Sequence, residues 1–323
     1  MKLFFKKLFV FTVPFILLIA LYIIIDPYKT IKHYNIYLPE YIMLNRGDIS
    51  TRVFLSNYKK YKFDSFIFGS SRSCAYTGKE WSRYLPEGSK TFSFGGWVDP
   101  IEGIYRRLAL VDSLNNTIKN VLIIVDIDDT FIRQDANPVA GDHYLISKKS
   151  LFDYHLMGII NYYSDPLTVI TSIDYSLFHA KRGYMKKFIG MEAGDLDPIN
   201  NDWGLNSEYR ILSDSANYYK RLLKTFYKRP PQQRYSGIQL SPNKQLLLKK
   251  IREIFDRRHT HYKFVLSPLY DQVKFNPFDL NTLVAIFGKE NIYDYSGINA
   301  KTADMYNFSD NLHYRKKLGA CRT

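Results

Sequence analysis

The longest hydrophobic stretch of the chain lies near its N-terminus, where an apolar run covers residues 8–25 and follows three lysines. A helix of this length rises about 27 Å, close to the roughly 30 Å hydrocarbon core of a bilayer. No small-residue cleavage site precedes Asp26 and Pro27, so the pattern predicts an uncleaved anchor rather than a secretory signal. The alternative, a core helix of a soluble protein, would show a polar face that this stretch lacks.

After the anchor, short apolar runs alternate with amphipathic stretches. Residues 66–68, 121–125, 264–266 and 292–293 predict strands, and the continuous run at 121–125 is typical of a parallel sheet covered on both faces. Helices are predicted after Pro100 and after Ser241, because apolar residues then recur every three or four positions. This alternation predicts an α/β sandwich around a parallel sheet.

The pattern also divides the chain into parts. Residues 1–26 form the cytoplasmic start and transmembrane anchor, 27–61 a stalk, and 62–323 an α/β domain. Residues from about 132 to 240 interrupt the alternation and are aromatic, polar and rich in turn residues. They predict a largely helical insertion that caps one edge of the sheet.

Composition narrows the function only slightly. The formal net charge is +14, but lysine and arginine are spread along the chain without a long basic run, which argues against nucleic-acid binding. A basic surface also suits an anionic membrane or an acidic polymer. The two cysteines, Cys74 and Cys321, make neither a disulfide framework nor a metal site, and their pairing stays open.

Two motifs carry reactive groups. Gly-Ser-Ser at residues 69–71 follows a predicted strand, where a turn exposes a serine hydroxyl close to backbone N–H groups. Near the other end, Asp310 and His313 lie three residues apart. A serine becomes a nucleophile when an imidazole takes its proton, and the imidazole needs a carboxylate to fix its tautomer. The two motifs together predict a Ser71–His313–Asp310 triad.

This order of motifs resembles the SGNH (GDSL-type) hydrolase superfamily over residues 62–319, apart from the insertion. The resemblance implies a flavodoxin-like three-layer α/β/α sandwich, Ser71 as nucleophile, His313 as base and Asp310 as its orienter. It also implies that Gly96, or Gly95 in its place, donates its N–H to the oxyanion. No cofactor and no metal are implied.

The third block of the family departs from its pattern in this chain. The family has an asparagine after a buried strand, and the counterpart here is Asp128. An ionised carboxylate cannot donate a hydrogen bond to an oxyanion, and loss of one such donor costs about 100–1000-fold in rate.

A second resemblance competes at the same position. Asp126, Asp128 and Thr130 match the first motif of haloacid-dehalogenase-type phosphatases, in which the first aspartate is the nucleophile and the second the acid/base, with magnesium beside them. That family needs a late acidic pair after another strand, and Asp294 stands alone there.

The expected function is therefore acyl-ester chemistry, as esterase or O-acetyltransferase, on an exported cell-envelope polysaccharide. The three lysines before the anchor predict a single-pass protein of the cytoplasmic membrane whose C-terminal domain faces outward. The resemblance implies a multi-spanning membrane acyltransferase as partner. The alternatives are a non-catalytic glycan-binding or assembly subunit and the magnesium-dependent phosphatase using Asp126 and Asp128.

Overall fold

The structure, a computed structural model, describes residues 1–37, 44–131, 141–185 and 193–319. The chain forms two compact units. The helical unit comprises Met1–Leu44 and Lys148–Glu192, and the sheet unit comprises Asn45–Ser147 and Ala193–Thr323. This division cuts both the stalk and the insertion that the sequence predicts, because each of them contributes residues to both units.

The described residues form helices and strands in the following order. The helices are α1 Lys2–Ile25, α2 Arg46–Tyr61, α3 Gly78–Trp81, α4 Ile101–Ser113, α5 Tyr144–Ser147, α6 Leu151–Ser164, α7 Pro166–Phe178, α8 Asn206–Ser213, α9 Ser215–Leu222, α10 Pro242–Arg258, α11 Pro277–Phe287, α12 Ala300–Ala303 and α13 Lys316–Gly319. The strands are β1 Ser65–Phe68, β2 Thr91–Ser93, β3 Asn120–Val125, β4 Ala193–Leu196, β5 Trp203–Leu205, β6 Arg234–Tyr235, β7 His261–Leu266, β8 Val273–Lys274 and β9 Ile292–Asp294.

A five-stranded parallel sheet with the order β2-β1-β3-β7-β9 forms the centre of the sheet unit. The mixed α/β class and the parallel sheet predicted from the sequence are confirmed. Every residue of β1 and β3 is buried, which explains why both strands are apolar after their first residues, Ser65 and Asn120. The carboxyl ends of β1, β2 and β3 are neighbours, so the loops that follow them meet at one edge of the sheet.

Helices flank this sheet. On one face Phe66 packs edge-on against Phe54 of α2, at 6.0 Å between ring centroids. On the other face Ile67 packs with Leu122, Ile124 and Val265 of the neighbouring strands. The helices predicted after Pro100 and Ser241 are present as α4 and α10, and the Ser241 side chain accepts from the Lys244 N–H as an N-cap.

The N-terminal apolar run forms α1, a helix of 24 residues that continues through Pro14. Among the described residues it is the one helix long and apolar enough to cross a membrane. Such a helix is typical of a membrane anchor or a signal sequence. Its C-cap is Asp26, a buried residue with left-handed backbone. The Asp26 carboxylate accepts the N–H groups of Thr30, Ile31 and Lys32, and these bonds stabilise the turn that follows the helix.

Candidate active site

The serine loop, residues 69–75, leaves the carboxyl end of β1. Gly69 has φ +154°, and a Cβ there would lie 2.9 Å from the Cβ of Ile124, so the strand-to-turn step requires glycine. Ser70 is the N-cap of the short 3-10 helix that follows, because its hydroxyl accepts a hydrogen bond from the N–H of Arg72. The same hydroxyl donates to the carboxylate of Asp126. Ser71 is the first residue of that helix and has 9% of its surface exposed.

The Ser71 hydroxyl meets an imidazole that lies 242 positions further along the chain. Its Oγ lies 2.8 Å from Nε2 of His313, and Nδ1 of that ring lies 3.0 Å from both carboxylate oxygens of Asp310. A proton held on Nδ1 by the carboxylate leaves Nε2 as an acceptor for the serine proton. The structure thus brings together the three residues that the sequence predicted as a triad.

The histidine loop, residues 308–315, is fixed from several sides. An antiparallel bridge joins Phe308 to Tyr314, and the N–H of Ser309 donates to the carbonyl of His313 at 2.9 Å. Tyr314 is buried in a cluster with Ala75, Tyr270, Phe308 and Leu318. Two hydroxyls from α9 add further bonds, since Tyr218 donates to the carbonyl of Ser309 and Tyr219 to that of Phe308, both at 2.8 Å. A rigid loop of this kind holds an imidazole in one orientation.

The charge of Asp310 is stabilised locally. Burial raises the pKa of Asp310, but the hydrogen bond and attraction of His313 and the N–H groups of Leu312 and His313 outweigh it, so the pKa lies below its ordinary value. Those N–H bonds are 2.7 and 2.8 Å long. Asp310 therefore stays ionised at neutral pH and stabilises an imidazolium at His313.

Arg72, the residue after Ser71, connects three loops. Its Nε donates to the carbonyl of Leu312 at 2.6 Å, and its two terminal nitrogens bind both oxygens of Asp128 at 2.6 and 2.7 Å. Its terminal Nη1 also lies 3.6 Å from Asp126. Burial lowers the pKa of Arg72, but these carboxylates raise it above the ordinary arginine value. The guanidinium thus links the serine loop, the loop after β3 and the histidine loop by charge-assisted bonds.

The oxyanion side of the site is arranged differently. The N–H of Gly96, the predicted donor, bonds the carbonyl of Gly69 at 3.0 Å. The N–H of Ser71 bonds the carbonyl of Trp97, at a longer 3.3 Å. Both backbone donors are therefore engaged within the protein, and an oxyanion would have to exchange with these carbonyls. The Ser71 N–H needs less change, because its bond is the weaker of the two.

The residues shared with the phosphatase motif have other partners here. The carboxylate of Asp126 is fully buried and accepts from Ser70, and that of Asp128 binds Arg72. Across the part of the chain that the structure describes, no group of three or more His, Cys, Asp or Glu side chains could hold a metal ion. Asp294, the isolated late acid, pairs with Lys274 at 2.8 Å.

These arrangements define a class of site: a hydroxyl, an imidazole and a carboxylate in hydrogen-bonded series at the carboxyl edge of a parallel sheet. No family model matches the chain, and the search of curated proteins finds no match either. Membership of the SGNH superfamily therefore stays a prediction.

Sequence reasoning missed the role of Arg72. The signal was present, because an arginine follows the nucleophile while three acids, Asp126, Asp128 and Asp129, follow β3. Loops after adjacent parallel strands meet at one edge, so opposite charges at these positions predict an ion pair. The engagement of the Gly96 and Ser71 N–H groups has no comparable signal in the sequence.

Proposed function

We propose that this chain is a membrane-anchored serine enzyme of the SGNH type that transfers or hydrolyses O-acetyl groups on an exported cell-envelope polysaccharide. The observation that carries the proposal is the 2.8 Å contact between Ser71 Oγ and His313 Nε2, with Asp310 at 3.0 Å behind the ring. Distances of this size are those of a nucleophile within reach of its base.

The reaction follows from the roles of these three groups. Ser71 Oγ attacks the acyl carbonyl carbon while the serine proton moves to His313 Nε2. This attack turns the carbonyl into a tetrahedral oxyanion. The oxyanion collapses, the ester C–O bond breaks, and the departing alkoxide takes the proton from His313. An acceptor hydroxyl, from water or a sugar, then attacks the acyl-serine and gives its proton to His313. The bond between Ser71 Oγ and the acyl carbon breaks, and Oγ takes that proton from His313. Asp310 remains ionised throughout and stabilises the imidazolium.

The oxyanion needs donors that this arrangement keeps engaged. In the proposed reaction the Ser71 N–H leaves the Trp97 carbonyl and donates to the oxyanion. The Gly96 N–H then leaves the Gly69 carbonyl and also donates to the oxyanion. Each such donor is worth about 100–1000-fold in rate, so the enzyme is slow until both exchanges have occurred. Substrate binding against the loop of residues 95–98 is the event that drives them.

The location of the chemistry follows from α1. We propose that α1 spans the cytoplasmic membrane with the lysines at residues 2, 6 and 7 inside, so that the sheet unit faces outward. An exported glycan is then within reach, and a multi-spanning membrane acyltransferase is a fitting supplier of acyl groups. We also propose that the helices cover both faces of the sheet as a three-layer α/β/α sandwich, the layout that SGNH enzymes share.

The decisive experiment tests for an acyl-serine at Ser71. The full chain in detergent is incubated with an activated acetyl ester, and product release and the mass of the active-site peptide are measured. We expect turnover and a transient acetyl group on Ser71, and we expect Ser71→Ala to lower the rate by about 1000-fold or more.

Ser89→Ala is the matched control, since it removes a loop hydroxyl that donates to the carbonyl of Pro86. It should keep the wild-type rate. Equal turnover in the wild type and Ser71→Ala would refute the triad mechanism.

A second candidate function is a non-catalytic glycan-binding or assembly subunit with the same fold. The observation that favours it is the engagement of the Ser71 and Gly96 N–H groups by carbonyls. Under this hypothesis, binding to an acetylated glycan is equal in wild type and Ser71→Ala, and neither releases acetate. Acetate release that requires Ser71 would exclude it.

A further inference from the structure

The helical unit carries an unusual exposed surface on the consecutive helices α6 and α7, here called the hairpin. The two helices are in contact, since the hydroxyls of Tyr162 and Ser172 form a hydrogen bond. Six large apolar side chains of the hairpin have between 47% and 74% of their surface exposed: Leu151, Phe152, Ile160, Ile170, Leu177 and Phe178. The charged side chains within these two helices are Asp153 and Asp174, and Asp174 pairs with Arg182 at 2.6 Å. An exposed apolar face of this size marks a surface that another apolar phase covers.

The hairpin packs directly on α1. The Tyr163 hydroxyl donates to the backbone carbonyl of Leu18 at 2.6 Å, and the rings of Tyr162 and Tyr22 lie 5.5 Å apart. Gly158 provides the close approach, because a Cβ there would lie 2.5 Å from the Tyr22 hydroxyl oxygen. These contacts fix the position of the hairpin along the anchor helix.

That position lies inside the apolar run. Leu18 precedes the end of α1 at Ile25 by seven residues, which is about 10 Å along a helix. If the membrane ended at Leu18, the apolar residues 8–17 below it would span only about 15 Å, half of the roughly 30 Å hydrocarbon core. A full span therefore places the Tyr163 contact, and the hairpin with it, within the outer part of the bilayer.

We propose that the hairpin lies in the leaflet in which α1 ends, with its exposed apolar side chains among lipid acyl chains. The proposal rests on the membrane anchor proposed above. Basic pairs flank the hairpin in sequence, Lys148 and Lys149 before α6 and Lys181 and Arg182 after α7, and they suit anionic headgroups at the edge of the bilayer. The occupant of this surface is lipid, and α1 with the hairpin forms a two-part membrane attachment.

Cysteine accessibility in a bilayer tests this placement. The full chain with Cys321→Ser receives one new cysteine at a time: Phe152→Cys or Leu177→Cys on the hairpin, Ile16→Cys on α1, and Leu246→Cys on α10 as the water-exposed reference. Cys74 stays, because burial raises its pKa to about 12 and leaves little thiolate. Each variant is placed as one chain per nanodisc of phosphatidylcholine with phosphatidylglycerol, which excludes a second copy and any protein other than the scaffold that encircles the disc.

We expect a water-soluble maleimide to label residues 152, 177 and 16 about tenfold more slowly than residue 246, because a thiolate forms poorly in hydrocarbon. Protection at 16 with full labelling at 152 and 177 would overturn the lipid placement while leaving the anchor intact, and would indicate a protein partner instead. Full labelling at residue 16 as well would overturn both the lipid placement of the hairpin and the membrane anchor. Ile170→Cys replaces either hairpin variant that does not fold, and the readout is independent of esterase activity.

Discussion

The two halves of the candidate site differ in how completely they are assembled. The proton-transfer half has each hydrogen bond in place, from Ser71 through His313 to an ionised Asp310. The oxyanion half has its backbone donors turned to carbonyls of the protein, and an aspartate, Asp128, at the position where the resemblance leads one to expect an amide. In the proposed mechanism, nucleophile activation is therefore built into the resting fold, whereas transition-state stabilisation depends on a local rearrangement.

Asp310→Asn is the sharpest test of the assembled half. The amide keeps the shape but presents a donor or a neutral acceptor to Nδ1, so the imidazole is no longer held in the right tautomer and its charged form loses its counter-charge. We expect a fall of about 1000-fold in the rate of acetyl-ester turnover, with substrate affinity nearly unchanged. Steady-state kinetics measure both, and a fall below tenfold would contradict the assigned role.

Arg72→Lys probes the connection between the halves. An ammonium cannot reproduce the fork that binds both Asp128 oxygens and the carbonyl of Leu312 at once. We expect a fall of about tenfold to 100-fold in turnover, from a misplaced histidine loop, together with a lower Tm. Arg83→Lys, on an exposed surface, is the control and should change neither. Wild-type turnover in Arg72→Lys would show that the fork is dispensable.

Asp128→Asn tests whether the oxyanion half lacks only an amide. Arg72 holds both carboxylate oxygens, so we expect the new amide to stay with the guanidinium and to change turnover by less than about threefold, against the 100–1000-fold gain that a true oxyanion donor would give. Loss of the partly exposed ion pair should cost about 1 kcal/mol or less in unfolding free energy. A rise of more than tenfold would show that the donor alone was missing.

The pH dependence of stability gives the smallest effect. The folded pKa of Asp310 lies below its ordinary value, so its ionised form stabilises the native state above the unfolded pKa of about 3.9, and this contribution is lost as pH falls through the folded pKa. The difference in unfolding free energy between the wild type and Asp310→Asn should therefore shrink below about pH 4. A difference that grows on acidification would reverse the assigned sign.

The sequence predicts four strands of the central sheet, β1, β3, β7 and β9, and misses β2 at one edge. The runs at 121–125 and 264–266 are strands of the sheet because both of their faces are covered. β2, Thr91–Ser93, has a single apolar residue between two polar ones, whereas the equally short β9 begins with the apolar pair at 292–293 that predicts a strand. The division into two units was also out of reach, because contacts between α1 and the hairpin join segments that no local pattern relates.

The site shows the same limit at the level of side chains and backbone. The triad was predictable because its chemistry demands a particular set of residue types, and those types stand in a recognisable order at 69–71 and 310–313. The direction of a backbone N–H has no such signature, so the bonds from Gly96 and Ser71 to carbonyls emerge only from the fold. Charge pairing is intermediate in how well the sequence predicts it. The ion pairs of Arg72 with the acids after β3 can be predicted once the neighbouring strands are known.

The forked contacts of Arg72 also affect how the serine loop and the histidine loop move. Since one buried guanidinium grips the carbonyl of Leu312 while its own backbone belongs to the serine loop, neither loop opens without breaking charge-assisted bonds of the other. Amide hydrogens in the two loops should then exchange with deuterium as one cooperative block, although some 240 positions separate them. Opening of the serine loop alone would be suppressed, and the serine and histidine loops would open together as one unit.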